Sequence, residues 1–425
     1  MVSVRTLSIW LALIGATRLD LLGASGPLVV TPFLVLSPLI AAQMFWRLWA
    51  KGEPVESVDG VSDFMLAVTA LMGILVLSTF ASYDIATSAR RVALLVVQVY
   101  LVLAVGLSFL ARPDSIHIVY LGAKWGLIAV LVADVLQLVT WLAEPAWLSG
   151  GFVDLRPGLY FGVIPRLTGL SSDPNLGGLG IIIFTWLMWT CGPQDRTRNR
   201  WLALGAVAVL ATLSRSAVLA GLICAAWHAF SGRQFTVTRQ RILLLLGCTL
   251  TLLIPYVVSP SGTDVLDDIG RMLGTRLTLD EGSSSEHVQL ILLGLEVATE
   301  NAKQLLIGIG YGNAFLETQS IFPGNEYGNF HSLLITMFAE SGVFAAVLVG
   351  IIFLEAYRRN IQTRALVAAM FVFNLFQQSH TEPITWLILA MGWTSWNLSR
   401  SLSGRSPSPR ATHSDLTTLS EPSTT

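Results

Sequence analysis

The chain has 425 residues, of which 53% are hydrophobic and only 12% charged, with a formal net charge of −1. A soluble globular domain carries about 25% charged residues. The deficit excludes an ordinary water-soluble fold and points to a polytopic membrane protein, in which apolar runs of about 20 residues recur. The net charge carries no message about a partner, because the charges are local to loops, and no nucleic-acid partner is expected.

Hydropathy predicts an all-α polytopic membrane protein of about twelve transmembrane helices, near 6–24, 27–46, 63–81, 91–110, 117–142, 176–192, 201–214, 216–230, 242–258, 332–356, 364–379 and 383–398. The first run follows Arg5 and lacks a convincing small-residue cleavage site, so it reads as a transmembrane helix and not a cleaved signal. Arginines in "QDRTRNR" (194–200), "GRQFTVTRQR" (232–241), "EAYRRN" (355–360) and the tail set the orientation. Placing them in the cytoplasm puts both termini inside and leaves residues 143–175, 259–331 and the turn "SHTEP" (379–383) outside. The segment "SYDIATSARR" (82–91) then falls outside with Arg90 and Arg91, against the rule, which marks those two arginines as candidates for a task.

Residues 1–398 read as one transmembrane domain and 399–425, rich in Ser, Thr and Pro, as a disordered cytoplasmic tail. The large extracytoplasmic loop, 259–331, contains "SSSEHVQLILLGLEVATENAKQLLIG", whose Val288, Ile291, Leu292, Leu295, Ala298, Ala302 and Leu305 predict an amphipathic helix. Glycines at 308, 310 and 312 end it. Cys191, Cys224 and Cys248 lie in or beside apolar runs without metal-ligand spacing, so they read as small buried hydrophobes. Glu286 and His287 read as facing water, and His380 and Glu382 as marking an outer turn.

Three polar stretches interrupt this pattern. In "RLTGLSSDPNLGG" (166–178), Pro174 suits the first turn of the sixth span and Asp173 its cap. Backbone N–H groups at that helix start, beside Arg166, suit a phosphate as well as they suit a plain cap. In "TLSRSAVLAG" (212–221), Arg215 lies between two apolar runs. An arginine in lipid costs at least a few kcal/mol, which makes it a functional candidate, with Asp134 one possible partner. In "GNFHSLLITMFAESG" (328–342), His331 stands where the outer loop re-enters the membrane, and Glu340 lies nine residues further on, where it could pair with a basic residue. Histidine can serve as a base near neutral pH, although a lone one at a helix start is more often a cap. "GIGYGN" (308–313) lacks the preceding strand that a dinucleotide loop needs. Arg166, Arg215 and one or both of Arg90 and Arg91 thus gather positive charge near the outer face, which suits an anionic lipid headgroup.

These stretches, in this order, resemble the O-antigen ligase and polymerase superfamily of bacterial membrane glycosyltransferases. The resemblance rests on Arg166 ahead of Gly169 and Asp173-Pro174-Asn175, on Ser214-Arg215, on "GIGYGNAF" (308–315), and on His331 followed by Glu340 to Gly342. It covers roughly residues 160–345. It implies a multi-pass protein of the bacterial inner membrane that moves a glycan from a polyprenyl-pyrophosphate carrier to a hydroxyl on a lipid, glycan or wall-polymer acceptor. The reaction implied is inverting, metal-independent and free of cofactors. Arg166 and Arg215, with Arg90 and Arg91, would bind the pyrophosphate. His331 would act with Arg215 in catalysis, and Asn175, Glu340 and Gly310 are candidates for the acceptor side or its loop. The family's usual His-Asn pair is His331-Ser332 here, which leaves the acceptor open. A polysaccharide polymerase of the same superfamily and a transporter of lipid-linked sugars are the alternative readings.

Overall fold

The computed structural model describes residues 2–19, 21, 30–51, 59–143, 149–150, 153–160, 164–193, 196–230, 282–321, 328–394 and 396. The predicted run 242–258, the acidic stretch 264–268, Cys248 and the tail 399–425 lie outside them. The helices in chain order are α1 (Val4–Leu13), α2 (Pro32–Lys51), α3 (Val61–Phe80), α4 (Ile85–Leu110), α5 (Ser115–Ala143), α6 (Pro174–Cys191), α7 (Arg196–Ala211) and α8 (Arg215–Phe230). After the next stretch come α9 (Gly282–Thr299), α10 (Ala302–Ile307), α11 (Ala314–Ile321), α12 (Leu333–Arg359), α13 (Arg364–Phe376) and α14 (Pro383–Trp393).

Among the described residues five helices, α3, α4, α5, α6 and α12, are long and apolar enough to cross a membrane. Four further apolar helices, α1, the first turns of α8, α13 and α14, are shorter. The first predicted span is thus cut back to Leu13, well short of residue 24. The segment before α6 is not bare loop. It forms two short antiparallel ladders, β1 (Ser149–Gly150) with β2 (Val153–Asp154) and β3 (Gly158–Tyr160) with β4 (Ile164–Arg166).

The bundle has one main core, with Trp10, Phe33, Phe64, Phe109, Phe184 and Phe373 fully buried. Between helices in lipid, close packing and small residues do the work that water exclusion does elsewhere. Two glycines of α5 show this. Gly122 lies under Leu11 of α1, and Gly126 lies under the Phe184 ring of α6. α5 is therefore the post against which α1 and α6 both stand.

One end of the bundle collects arginines and tryptophans. Arg359 bridges to Asp63 at 3.0 Å and lies 4.6 Å over the Trp393 ring, and Asn360 donates to Met391 O. The starts of α6, α8, α12 and α14 converge at the other end, where Asn175 meets Ser214 and Leu333 N donates to Gln377 O.

The helix expected in the loop 259–331 differs from its expected form in two ways. It breaks at Asn301, whose Oδ1 accepts from Gln304 N at 3.0 Å and so starts α10 afresh. Its buried face also matches the predicted stripe only at Ala298. Val288, Leu292 and Leu295 of that stripe are exposed, whereas Leu290 and Val297 from outside it are buried. The reason is Gly294, which lets α9 lie directly against Phe330 and Ile335 at the start of α12. The predicted stripe followed bulk, but the contact follows the smallest residue.

Candidate functional site

The polar stretch 166–178 is clamped from both sides. Asp134 Oδ1 of α5 accepts from Gly169 N at 2.9 Å, and Gln137 exchanges hydrogen bonds with Thr168 through its Oε1 and Nε2. Arg18 donates to Thr168 Oγ1 at 2.7 Å and to Arg156 O at 2.6 Å. Asp134 is thus an anchor for this loop and not the partner of Arg215. Gly169 is held at φ +57°, with Val130 directly beneath it, so the turn has no room for a side chain.

Asp173 caps α6, as the sequence predicts. Its Oδ1 accepts from Asn175 N at 2.7 Å and Leu176 N at 3.2 Å, and Pro174 opens the first turn. The cap fills the two amides that were expected to face a phosphate. Two glycines then set the register of the site. Gly177 lies on Thr168 O, and Gly178 lies on Ala217 and Thr212. This close approach places the start of α8 beside the start of α6. Ser214 Oγ donates to Asn175 Oδ1 at 2.7 Å, and Arg166 Nε donates to Thr212 O at 3.4 Å. Arg166, Asn175 and Arg215 therefore meet at one hinge.

His331 joins the same group through a residue that the sequence reading assigned to solvent. The His287 ring of α9 stacks on His331, with centroids 4.1 Å apart and planes 34° apart. Arg215 and Asp173 both act electrostatically on His287. Burial, then His287, lowers the His331 pKa from 6.5 to about 4, and among the described residues its buried Nδ1 has no hydrogen-bond partner. Burial and then Arg215 lower His287 also, against a smaller opposite pull from Asp173. Both rings are therefore neutral at pH 7.

Backbone conformation marks the same two places. Among the described residues, Leu213 and His331 are the non-glycine residues with positive φ, at 53° and 52°. Each such residue costs on the order of 1 kcal/mol or more, and such conformations cluster at functional sites. One precedes Ser214-Arg215 and the other is the candidate base.

The remaining candidates form a second cluster. Arg91 donates to Gly312 O at 2.7 Å and lies 5.4 Å over the Phe315 ring. Glu340 Oε1 accepts from Ala314 N at 2.9 Å, at the first residue of α11, and its backbone oxygen accepts from Gly310 N. Glu340 therefore holds a helix start and forms no ion pair among the described residues. Gly310 lies on Ser82, and Asn313 donates to Ser82 Oγ. Arg90 is exposed, and its charge acts on Asp84, the cap of α4. Arg91, Gly310 and Glu340 are brought together with one another, and each is already engaged by the protein.

This glycine loop works as a clasp. Gly308, Gly310, Gly312 and Gly342 all have φ between 79° and 99° and lie against backbone or side chains from other elements. A Cβ on Gly308 would sit 2.2 Å from the Glu340 carbonyl carbon. Gly308→Ala is expected to destabilise the protein by about 2 kcal/mol or more, through strain and overlap together. Gly350→Ala, where a Cβ meets nothing within 4 Å, is the control and is expected to leave stability equal or slightly raised. Thermal unfolding in detergent checks both.

The turn before α14 links the two clusters. His380 Nε2 and Tyr311 OH are 2.8 Å apart, and Trp386 Nε1 donates to His380 O. Glu382 is buried, and burial followed by Asp173 raises its pKa to about 7. Burial lowers His380 to about 4. The signs oppose. Between pH 6.5 and about 4 the unfolded chain takes up protons that folded His331 and His380 refuse, so these two weaken the fold as pH falls through that window. Between 4.5 and about 7 folded Glu382 keeps a proton that the unfolded chain releases, so it weakens the fold as pH rises.

His287 was missed because bulk on α9 pointed the other way. The signal that finds it is its distance from Gly294: seven residues, or two helical turns, put both on the face that meets α12. His380 and Glu382 carried no comparable signal, because their burial comes from α12 and the glycine clasp, far away in sequence.

Comparison with curated proteins gives no match. A family model does match: Wzy_C, O-antigen ligase, over residues 201–350, which takes in Arg215, His287, the glycine clasp, His331 and Glu340. Over those residues the chain is similar to the O-antigen ligase family.

Proposed function

We propose that this protein transfers a glycan from a polyprenyl-pyrophosphate carrier to an acceptor hydroxyl at the extracytoplasmic face of the bacterial inner membrane. One observation supports this above all others: Arg166, Arg215 and a neutral His331 belong to one end of the bundle, where four helices begin. The opposite end carries Arg358 and Arg359, which suits the cytoplasmic side.

Arg215 and Arg166 hold the pyrophosphate. The acceptor oxygen attacks the anomeric carbon as the bond from that carbon to the pyrophosphate oxygen breaks, with inversion. The hydroxyl proton passes to the His331 ring, and the electron pair of the broken bond leaves with the carrier pyrophosphate. Negative charge grows on that leaving group, so guanidinium groups fixed beside it stabilise the transition state more than the ground state. Asn175, tied to Ser214, sits where it can face the acceptor. No step draws on a cofactor or a metal ion.

Purified protein in proteoliposomes, given a polyprenyl-pyrophosphate-linked oligosaccharide and lipid, glycan or lipid-linked acceptors, is expected to release polyprenyl pyrophosphate and lengthen or cap an acceptor. Passage of the lipid-linked sugar across the bilayer without bond cleavage would refute transfer and favour transport. Growth of the lipid-linked glycan itself marks a polymerase, and modification of a different acceptor marks a ligase.

A further inference from the structure

We propose that His287 is a positioning residue for this transfer: carried by α9, its ring stacks on His331 and fixes the plane in which that ring meets the acceptor hydroxyl. The inference rests on the reading of His331 as the group that takes the proton, and it adds the outer-loop helix to the catalytic apparatus.

The geometry that carries it starts at Gly294. A Cβ there would lie 2.5 Å from Ile335 Cγ2 and 2.8 Å from Phe330 Cγ, so α9 and the start of α12 are in direct contact. Two turns back along α9 is His287, and four residues back from Ile335 is His331. The ring stack, with centroids 4.1 Å apart, is the continuation of that helix contact. His331 needs such a support. Its backbone holds φ at 52°, its amide is tied to Asn329 Oδ1 at 2.9 Å, and among the described residues its Nδ1 has no hydrogen bond to orient the ring. A catalytic histidine is usually aimed by a partner on its second nitrogen. Here an aromatic face replaces that partner.

The charges around the pair are few. Arg215 comes from the start of α8, and Asp173 from the cap of α6. Asp173 acts in turn on Glu382, before α14. On the other elements packed against α9, the charged groups face elsewhere. Lys303 of α10 lies over the Tyr83 ring, Glu317 of α11 acts on Tyr83, and Glu340 of α12 holds Ala314 N. Removing His287 therefore changes His331 in two ways. The ring is less buried and loses a neighbour that opposes its protonation, and both changes raise its affinity for a proton.

The test uses the full-length protein in proteoliposomes with the polyprenyl-pyrophosphate-linked oligosaccharide as donor. For His287→Ala, kcat is expected to fall about tenfold with donor KM changed by less than about twofold, as suits a group that aims the base and does not bind the donor. The acid limb of kcat/KM is expected to move up toward the ordinary histidine range. His287→Phe keeps a ring on His331 and is expected to recover turnover to within about threefold of the parent, with the acid limb still low. Unchanged kcat and an unchanged acid limb in His287→Ala overturn the inference. So does a Phe variant that inserts normally yet is as slow as the Ala variant. If His287→Ala fails to insert, the Phe variant alone decides. His331→Ala separates this inference from the reading beneath it. Full turnover there removes the base itself, whereas an inactive His331→Ala beside an unaffected His287→Ala removes only the role of His287.

Discussion

Arg215→Ala is expected to lower kcat/KM for glycan transfer by about 10²–10³-fold, the scale on which a fixed donor to developing negative charge contributes. The expectation follows from where the residue is built. Arg215 is the first residue of α8, and the hinge before it is held by Leu213 at positive φ, by Ser214 bonded to Asn175, and by Arg166 on Thr212 O. A helix start held in that way keeps the Arg215 backbone in place when charge develops beside it. Lysine keeps the charge but loses the planar fork that grips two phosphate oxygens, so Arg215→Lys is expected to recover only part of the loss. A second readout follows from electrostatics. Arg215 is the second influence after burial that depresses His287, so its removal lets the His287 pKa rise. Insertion of the variant is checked alongside its turnover. Near-parental turnover in an inserted Arg215→Ala protein would remove Arg215 from the mechanism.

The sequence carried the membrane character, the position of most helices and the cap of α6, because each depends on neighbours in the chain. Asp173-Pro174 needs only its own turn to be a cap and a first residue. The parts that were not legible depend on pairs far apart. Asp134 reads as a charge in an apolar run, and it becomes an anchor only once Gly169 is brought 2.9 Å away. Glu340 reads as a charge seeking a base, yet it meets the amide that opens α11. Arg91 reads as a stray cation on the wrong side, and it is spent on the clasp. In each case the residue type announced that it needed a partner. The partner was a backbone group, and backbone groups leave no trace in the letters. Helix α9 shows the converse. Its large residues suggested a buried stripe, but a helix that must lie close on another does so on its glycine.

His331→Ala is expected to lower kcat by about 10²–10⁴-fold, the usual range for a positioned acid–base group, with little change in donor KM. In the proposed reaction the arginines bind the donor, and the histidine deals with the acceptor. The pH dependence makes the prediction specific. Transfer uses the unprotonated ring, so with the His331 pKa held near 4 by burial and by His287, activity should persist well below pH 6.5 and fall only as pH approaches about 4. So weak a base looks unsuited to removing a proton from an alcohol. It is suited to this reaction if bond breaking at the anomeric carbon runs ahead of attack. The carbon then carries positive charge, as in other glycosyl transfers, and the incoming hydroxyl becomes acidic as it bonds. The ring has only to accept a hydrogen bond early and the proton late. A neutral imidazole also leaves the arginines' positive charge for the pyrophosphate and adds none of its own until the leaving group has become an anion. His331→Gln, which accepts a hydrogen bond but takes no proton, tests this order of events. Substantial rate in Gln with none in Ala assigns His331 to orientation, whereas equal loss in both assigns it to proton transfer.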